Sequence, residues 1–244
     1  MSHPQRSVLI INPNTTQAMT EGLRPLAERL GFPTHYEYFT APHGVSSINN
    51  EDDAVISAQA CLPNITDLMQ YHDALLVCCY SQHPLVSLLR EEIRKQHLDR
   101  PCVTGIFEAS VATCLQYLNV GEKFGIVSTG QQWEAILGEA VAELLGSDNG
   151  KRFAGTETTG LNANELHAVA KSELDLRMKD ATKRLLRKGA KAICLGCAGM
   201  AGLDEVVRSA CVEALGEEGG MQIKIIDGVI SGVVFLEGAL RSAM

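Results

Sequence analysis

The chain has 244 residues, 45% of them hydrophobic and 20% charged, with a formal net charge of −8. That composition suits a soluble globular protein with a sizeable core, and an acidic balance with scattered Lys and Arg excludes a nucleic-acid partner, which needs a basic face. No apolar run reaches the ~20 residues of a membrane helix; the polar Met1 to Arg6 leads straight into a strand, so neither a signal peptide nor a membrane partner is expected, and a cytoplasmic location is.

Ser7 to Ile11 is a continuous apolar strand closed by Asn12-Pro13-Asn14-Thr15, because Pro13 cannot extend a ladder. Thr15 or Thr16 is placed to cap a helix from about Gln17 to Leu30, and Gly31 ends it. Thr34 to Thr40 alternates as a strand, Ala41 to Asn50 is a loop of turn formers, and Glu51 to Gln70 reads as a helix kinked at Pro63. Ala74 to Cys79 is a short apolar strand, and Pro84 sits where a first-turn proline belongs, before a helix through Leu85 to Lys95. The alternation restarts with a strand at Cys102 to Ile106, a helix at Glu108 to Leu118, a strand at Lys123 to Ser128 and a helix at Gln131 to Leu145. A strand at Arg152 to Glu157, a long helix at Asn164 to Lys188 and a strand at Ala192 to Cys197 follow. A helix at Leu203 to Leu215, a short strand at Ile223 to Ile226 and a helix at Gly228 to Arg241 close the chain. Strands alternating with helices predict an α/β fold with parallel sheets.

The order repeats internally. Val8 to Gly31 lies on Lys123 to Gly146 without a gap, which sets Asn14 on Thr129, and Cys79 recurs as Cys197 after a nearly equal spacing. Two similar α/β subdomains with parallel sheets are therefore expected about a pseudo-two-fold axis. Strand carboxyl ends are where ligands sit in open α/β sheets, so the site is expected in the cleft between them. The expected division is residues 1–97 plus 217–244 for the first subdomain and 98–216 for the second, with the last strand and helix crossing back through Gly216 to Gly220.

Eight cysteines in such a chain read as reduced thiols, mostly small core residues. Cys79 and Cys197 differ from the rest by position, since each ends an apolar strand and precedes a helix. A cleft with one thiol on each wall suits inversion at an acidic carbon: one thiolate removes the proton and the opposite thiol delivers another. A thiol near pKa ~8.5 is tunable toward neutrality by backbone amides or a helix N-terminus. The developing enolate needs donors, which the turns holding Asn14, Thr15, Ser81, Ser128 and Thr129 could supply.

These features reach a known family. Ile11-Asn12-Pro13-Asn14-Thr15, Ser47-Ile48, Cys79, Glu108-Ala109 and Leu195-Gly196-Cys197-Ala198-Gly199-Met200 span almost the whole chain. With them the chain resembles the aspartate/glutamate/hydantoin racemase superfamily, and within it the hydantoin and allantoin racemase branch. The resemblance implies two α/β subdomains, no cofactor, a homo-oligomer and Cys79 and Cys197 as the acid/base pair. It puts Asn14, Ser47, Ile48, Ser81, Glu108, Ala109, Thr129, Ala198 and Gly199 around a small-molecule substrate. Bacterial hydantoin racemases typically follow the first cysteine with an aromatic residue and Gly-Asp-Pro; here Tyr80-Ser81-Gln82-His83-Pro84 is one residue longer. Amino-acid racemases of the superfamily usually put Thr and a Glu after the second cysteine; Ala198-Gly199 cannot hold a free amino acid that way, which favours a hydantoin-type ring.

Other readings stay beside this one: a lyase or decarboxylase on the same scaffold, an amino-acid racemase, and a non-catalytic ligand-binding relative. Lyase relatives tend to keep one of the two cysteines. Cys194-x-x-Cys197 lies within a strand, whereas redox pairs of that spacing open a helix, and no second ligand pair has zinc spacing, so no metal is expected. His83, four residues past Cys79, reads as a polar residue at a helix start rather than the base of a Cys-His hydrolase. Glu108 reads equally as a first-turn carboxylate answering its helix dipole or as a ligand group.

Overall fold

The computed structural model describes residues 5–146, 151–200 and 202–242. The chain divides into two compact units, Met1–Ala109 with Val229–Met244, and Ser110–Gly228. In the first, β1 (Arg6–Asn12), α1 (Gln17–Glu28), β2 (Thr34–Thr40), α2 (Glu51–Leu68), β3 (Ala74–Val77), α3 (Pro84–Lys95) and β4 (Cys102–Gly105) alternate. The second follows α4 (Ile106–Tyr117) with β5 (Lys123–Ser128), α5 (Trp133–Leu145), β6 (Phe153–Thr158), α6 (Lys171–Arg187), β7 (Ala190–Leu195), α7 (Asp204–Gln222) and β8 (Lys224–Asp227). Helix α8 (Gly228–Ser242) ends the chain.

Both sheets are four-stranded and parallel, in the orders β2-β1-β3-β4 and β6-β5-β7-β8. The two orders are the same order, as the internal repeat predicts. The central strands read as unbroken apolar runs because both faces are covered. In the first unit Leu9, Ile11, Leu75 and Val77 pack one face against Ile65 of α2 and Leu85 and Leu89 of α3. In the second, Val127, Ile193 and Leu195 pack against Met178, Ala181 and Leu185 of α6 and Val207 and Cys211 of α7.

The opposite faces are covered by helices that follow the other sheet's last strand. Helix α8 leaves β8, and its Gly232 lies so close to Leu76 of β3 that a Cβ there would overlap the leucine side chain. Helix α4 leaves β4, and its Cys114 Sγ sits 3.2 Å from Cys194 Sγ of β7, within the second unit. The expected divisions at 97/98 and 216/217 therefore move. β4 pairs with β3 and β8 with β7, so each strand stays with the sheet it extends, and of the last strand and helix only α8 joins the first unit.

Local differences have local causes. Residues 216–220 are not a crossing: α7 runs through them, with one left-handed break at Gly216 (φ 75°). α6 begins at Lys171 rather than Asn164, after a 3-10 turn at Glu165–His167. Thr16 is the N-cap residue of α1, but its hydroxyl donates to Ser46 O, and Asn14 Oδ1 accepts the Thr16 N–H instead.

Candidate active site

The two cysteines singled out in the sequence do not end strands, as expected, but follow them. β3 stops at Val77 and β7 at Leu195. The register then relates them unambiguously. Val77 is the last partner of Ile11, and Leu195 the last partner of Val127. One residue on, Cys78 N–H donates to Ile11 O at 2.8 Å and Gly196 N–H donates to Val127 O at 2.7 Å. Cys78 and Gly196 are thus equivalent, and so are Cys79 and Cys197. The same register sets Asn12 on Ser128, because Ala41 N–H donates to Asn12 O and Thr159 N–H donates to Ser128 O. Asn14 consequently falls on Gly130 and not on Thr129; the repeat read from the sequence is one residue out, because the hydrogen-bonded register sets Ile11 on Val127 and Asn12 on Ser128.

In the first unit the candidate residues gather at the carboxyl edge of the sheet. Asn12, 2% exposed, donates through Nδ2 to Asn14 Oδ1 and Thr20 Oγ1, and its Oδ1 accepts the Asn14 N–H. Asn14 Nδ2 donates to Met19 Sδ, a weak acceptor. The loop carrying Ser47 and Ile48, both buried, is tied to this turn by Thr15 N–H to Val45 O at 3.0 Å and Thr16 Oγ1 to Ser46 O at 2.7 Å. Cys79 is half-buried with its Sγ 3.5 Å from the buried Ser81 Oγ, and Ser81 N–H turns back to Cys79 O. Tyr80 packs edge-on against Phe107 at 5.7 Å between ring centroids, which joins the Cys79 loop to the start of α4. There Glu108 lies in the first helical turn over Gly105, beside the buried Ala109. Glu108 Oε2 is buried without a hydrogen-bond partner, and burial raises its pKa, opposed by its own backbone amide and by Arg90.

In the second unit Thr129, 2% exposed, follows β5, and its carbonyl accepts the Gly160 N–H at 2.9 Å. Ser128 Oγ donates to Gly196 O at 3.0 Å and so pins the segment before Cys197. Gly196 admits no side chain: a Cβ would lie 2.6 Å from Ile126 Cγ2 and 2.7 Å from Val127 O. Ala198, Gly199 and Met200 form a single 3-10 turn, and the amides of Gly199 and Met200 face the sulfur, Gly199 N–H at 3.3 Å from Cys197 Sγ. Burial pushes the Cys197 thiol up to about 11, and the amides of Gly199 and Met200 pull against it.

Of the remaining thiols, Cys102 on β4 is half-buried. Cys61, Cys78, Cys114, Cys194 and Cys211 are buried, and Cys194 faces Cys114, not Cys197. His83 is the N-cap of α3, its Nδ1 accepting the Leu85 N–H, and burial lowers its pKa to about 4. Two contributors escaped the sequence reading. In the sequence Asn12 reads only as a strand terminator; in the structure its Oδ1 accepts the N–H two residues on, an Asx-turn that many Asn residues before turns can form. Gly196 was read as one of several small residues; its tight approach depends on β5, which no local signal reports. Among the described residues no group of three or more His, Cys, Asp or Glu is placed to hold a metal ion, and no helix is long and apolar enough to cross a membrane.

Known proteins resemble this chain in sequence and in fold. The sequence model described as Asp/Glu/Hydantoin racemase matches residues 8–236. An uncharacterized protein of Schizosaccharomyces pombe is 37% identical over 237 residues, covering 96% of this chain and 92% of its own. A hydantoin racemase of a Pseudomonas strain is 26% identical over 232 residues, covering 94% and 84%. In fold, the chain is similar to the crystal structure of allantoin racemase from Pseudomonas fluorescens, with a TM-score of 0.79, 24% identity and coverage of 98% and 92%. With the family model spanning nearly its whole length, the chain belongs to the Asp/Glu/Hydantoin racemase family.

Proposed function

We propose that this protein is a cofactor-independent racemase that inverts C5 of a 5-substituted hydantoin ring, with allantoin as the physiological candidate. The observation that carries the reading is the equivalence of Cys79 and Cys197: a duplicated fold keeps a thiol at the same strand end twice. Two bases of one kind on opposite faces of a carbon are what inversion requires, since either enantiomer then finds a thiolate on its proton's side.

In this scheme Cys197 rests as the thiol, because burial outweighs its two amide donors, and Cys79 serves as the resting base beside Ser81. The Cys79 thiolate takes the C5 proton, charge moves to the adjacent ring carbonyl oxygen, and Cys197 delivers its proton to the other face. The thiol and thiolate have then exchanged places, ready for the opposite enantiomer. Ser81, Thr129 and the Asn14 amide are the donors for the enolate oxygen, each in a turn held by hydrogen bonds independent of substrate. Glu108 Oε2, buried without a partner, accepts a ring N–H. That need suits a neutral ring rich in N–H donors, and Ala198 and Gly199 leave room for it. A hydantoin racemase among the relatives supports the substrate class.

One enantiomer of allantoin or a 5-alkyl hydantoin, incubated with the protein in D2O, tests the reading. Optical rotation decays faster than the blank, one deuterium enters at C5, and no carbon dioxide is released. Cys79→Ser and Cys197→Ser each lower kcat by about 10³-fold or more, the range of a lost acid or base. Release of carbon dioxide, or full activity in the double variant, refutes it.

A further inference from the structure

A buried chain of polar groups links the turn after β1 to the end of the loop that holds Cys79, and the reaction scheme above does not use it. Ser57 on α2 is wholly buried, and its single hydroxyl hydrogen is donated to Pro13 O at 2.6 Å. Its oxygen also lies 3.3 Å from His83 Nε2. The hydroxyl has no second hydrogen, so it accepts there and the imidazole donates. This agrees with His83 Nδ1 accepting the Leu85 N–H at 3.3 Å; the network assigns a neutral ring with its proton on Nε2. Every member is satisfied without solvent.

The chain ties three elements at the points that matter. Pro13 sits between Asn12 and Asn14 in the turn after β1. His83 closes the loop that begins at Cys78 and holds Cys79 and Ser81. That loop is thus fixed at both ends to one strand and its turn, by Cys78 N–H on Ile11 O at its start and by His83 through Ser57 on Pro13 O at its end. Simple capping of α3 does not require the second link, since an Asn or Asp caps a helix without reaching another element.

We infer that Ser57 and His83 are positioning residues for proton transfer at Cys79, holding the Cys79–Ser81 loop in register with the Asn12–Asn14 turn. The inference rests on the reading of Cys79 as an acid/base group. Small displacements of a reacting group cost rate without costing binding, so the relay acts on kcat.

Ser57→Ala, His83→Asn and His83→Gln separate this role from stability. Asn keeps the acceptor for the Leu85 N–H but is too short to reach Ser57; Gln keeps an N–H near the Nε2 position and loses the cap. In Ser57→Ala, kcat for hydantoin racemisation falls about tenfold with KM within about twofold of wild type. His83→Asn is the more stable and slower of the pair, and His83→Gln the less stable and faster, so kcat and Tm rank oppositely. Iodoacetamide alkylation of Cys79 in Ser57→Ala, followed by peptide mass spectrometry, accelerates at least about twofold while Cys197 keeps its rate. If kcat follows Tm across the His83 pair, or Cys79 alkylation changes less than about twofold, the relay is overturned. The alkylation arm needs no turnover: full activity in Cys79→Ser would refute the reading of Cys79 alone, and the positional claim would still be decided. Should Ser57→Ala fail to fold, the His83 pair decides.

Discussion

Cys79 and Cys197 are the same residue of a duplicated fold: each lies two positions past the last pair of a third strand, Val77 on Ile11 and Leu195 on Val127. The residues between differ. Cys78 turns its buried sulfur toward Leu76 O, whereas Gly196 is squeezed against β5. The two sulfurs also have different neighbours, a serine hydroxyl at Cys79 and backbone amides at Cys197. Equal positions with unequal surroundings leave the two sulfurs in different electrostatic settings, burial holding Cys197 as the thiol.

That asymmetry is measurable. At pH 7 a Cys197 thiol held at about 11 is almost wholly neutral. Its alkylation by iodoacetamide therefore rises about tenfold per pH unit between roughly pH 7 and pH 10, because only the thiolate reacts. A plateau below about pH 9 at the Cys197 peptide would contradict the burial that sets its state.

Gly196→Ala forces a methyl group into Ile126 and the Val127 carbonyl. Overpacking of this kind costs about 1–3 kcal/mol, so Tm falls by several degrees. Because Gly196 is bonded to its neighbours on both sides of the peptide, through Val127 O and Ser128 Oγ, the strain passes to Cys197, and kcat drops further than Tm alone accounts for. Thermal melts and initial rates on the same preparation check this.

Glu108→Gln should stabilise the protein while harming it as an enzyme. The wild-type carboxylate holds a buried unpaired oxygen, and its raised pKa means that ionisation opposes folding as pH rises above the carboxyl's ordinary value. Glutamine removes the charge and keeps the shape. We expect a higher Tm at pH 7 and a KM for the hydantoin raised about tenfold, the price of a weakened N–H contact. An unchanged KM would remove Glu108 from the substrate's surroundings.

His83 sets an acid limb on stability. Its pKa is about 4 in the folded chain against 6.5 for the free group, so between these values the unfolded chain binds more protons. Stability is full above pH 6.5 and is lost as pH falls toward 4, by about 3 kcal/mol in total. His83→Asn keeps the cap without titrating. Urea denaturation of both proteins at pH 7 and pH 4 should show the wild type losing about 3 kcal/mol more than the variant.

Much of this was legible in one dimension. Buried parallel strands write themselves as apolar runs, and helix starts announce themselves through Pro84 and the acidic turn at Glu51 to Asp53. Cys79 and Cys197 stood out because an apolar run must stop where a sheet edge opens. His83 read as a helix start, and the N-cap geometry agrees. What failed was counting along the chain. The hydrogen-bonded register sets Ile11 on Val127 and Asn12 on Ser128, one residue away from the gapless match of Val8 on Lys123, so Asn14 meets Gly130 rather than Thr129. Two apolar runs slide past one another by a residue with little change of pattern, and only pairing with the neighbouring strands sets the match.

The α/β alternation, the duplication and the positions of the two thiols are legible locally, because each depends on residues near one another in the chain. Tertiary structure alone decided which strand joins which sheet and that α4 and α8 cover the sheets they do not follow. It decided, too, that Ser57 reaches from α2 to Pro13 and His83, and that Gly196 tolerates no side chain. These are properties of contacts between segments far apart in sequence, where the deciding quantity is the distance left between two backbones, and no local pattern carries that distance.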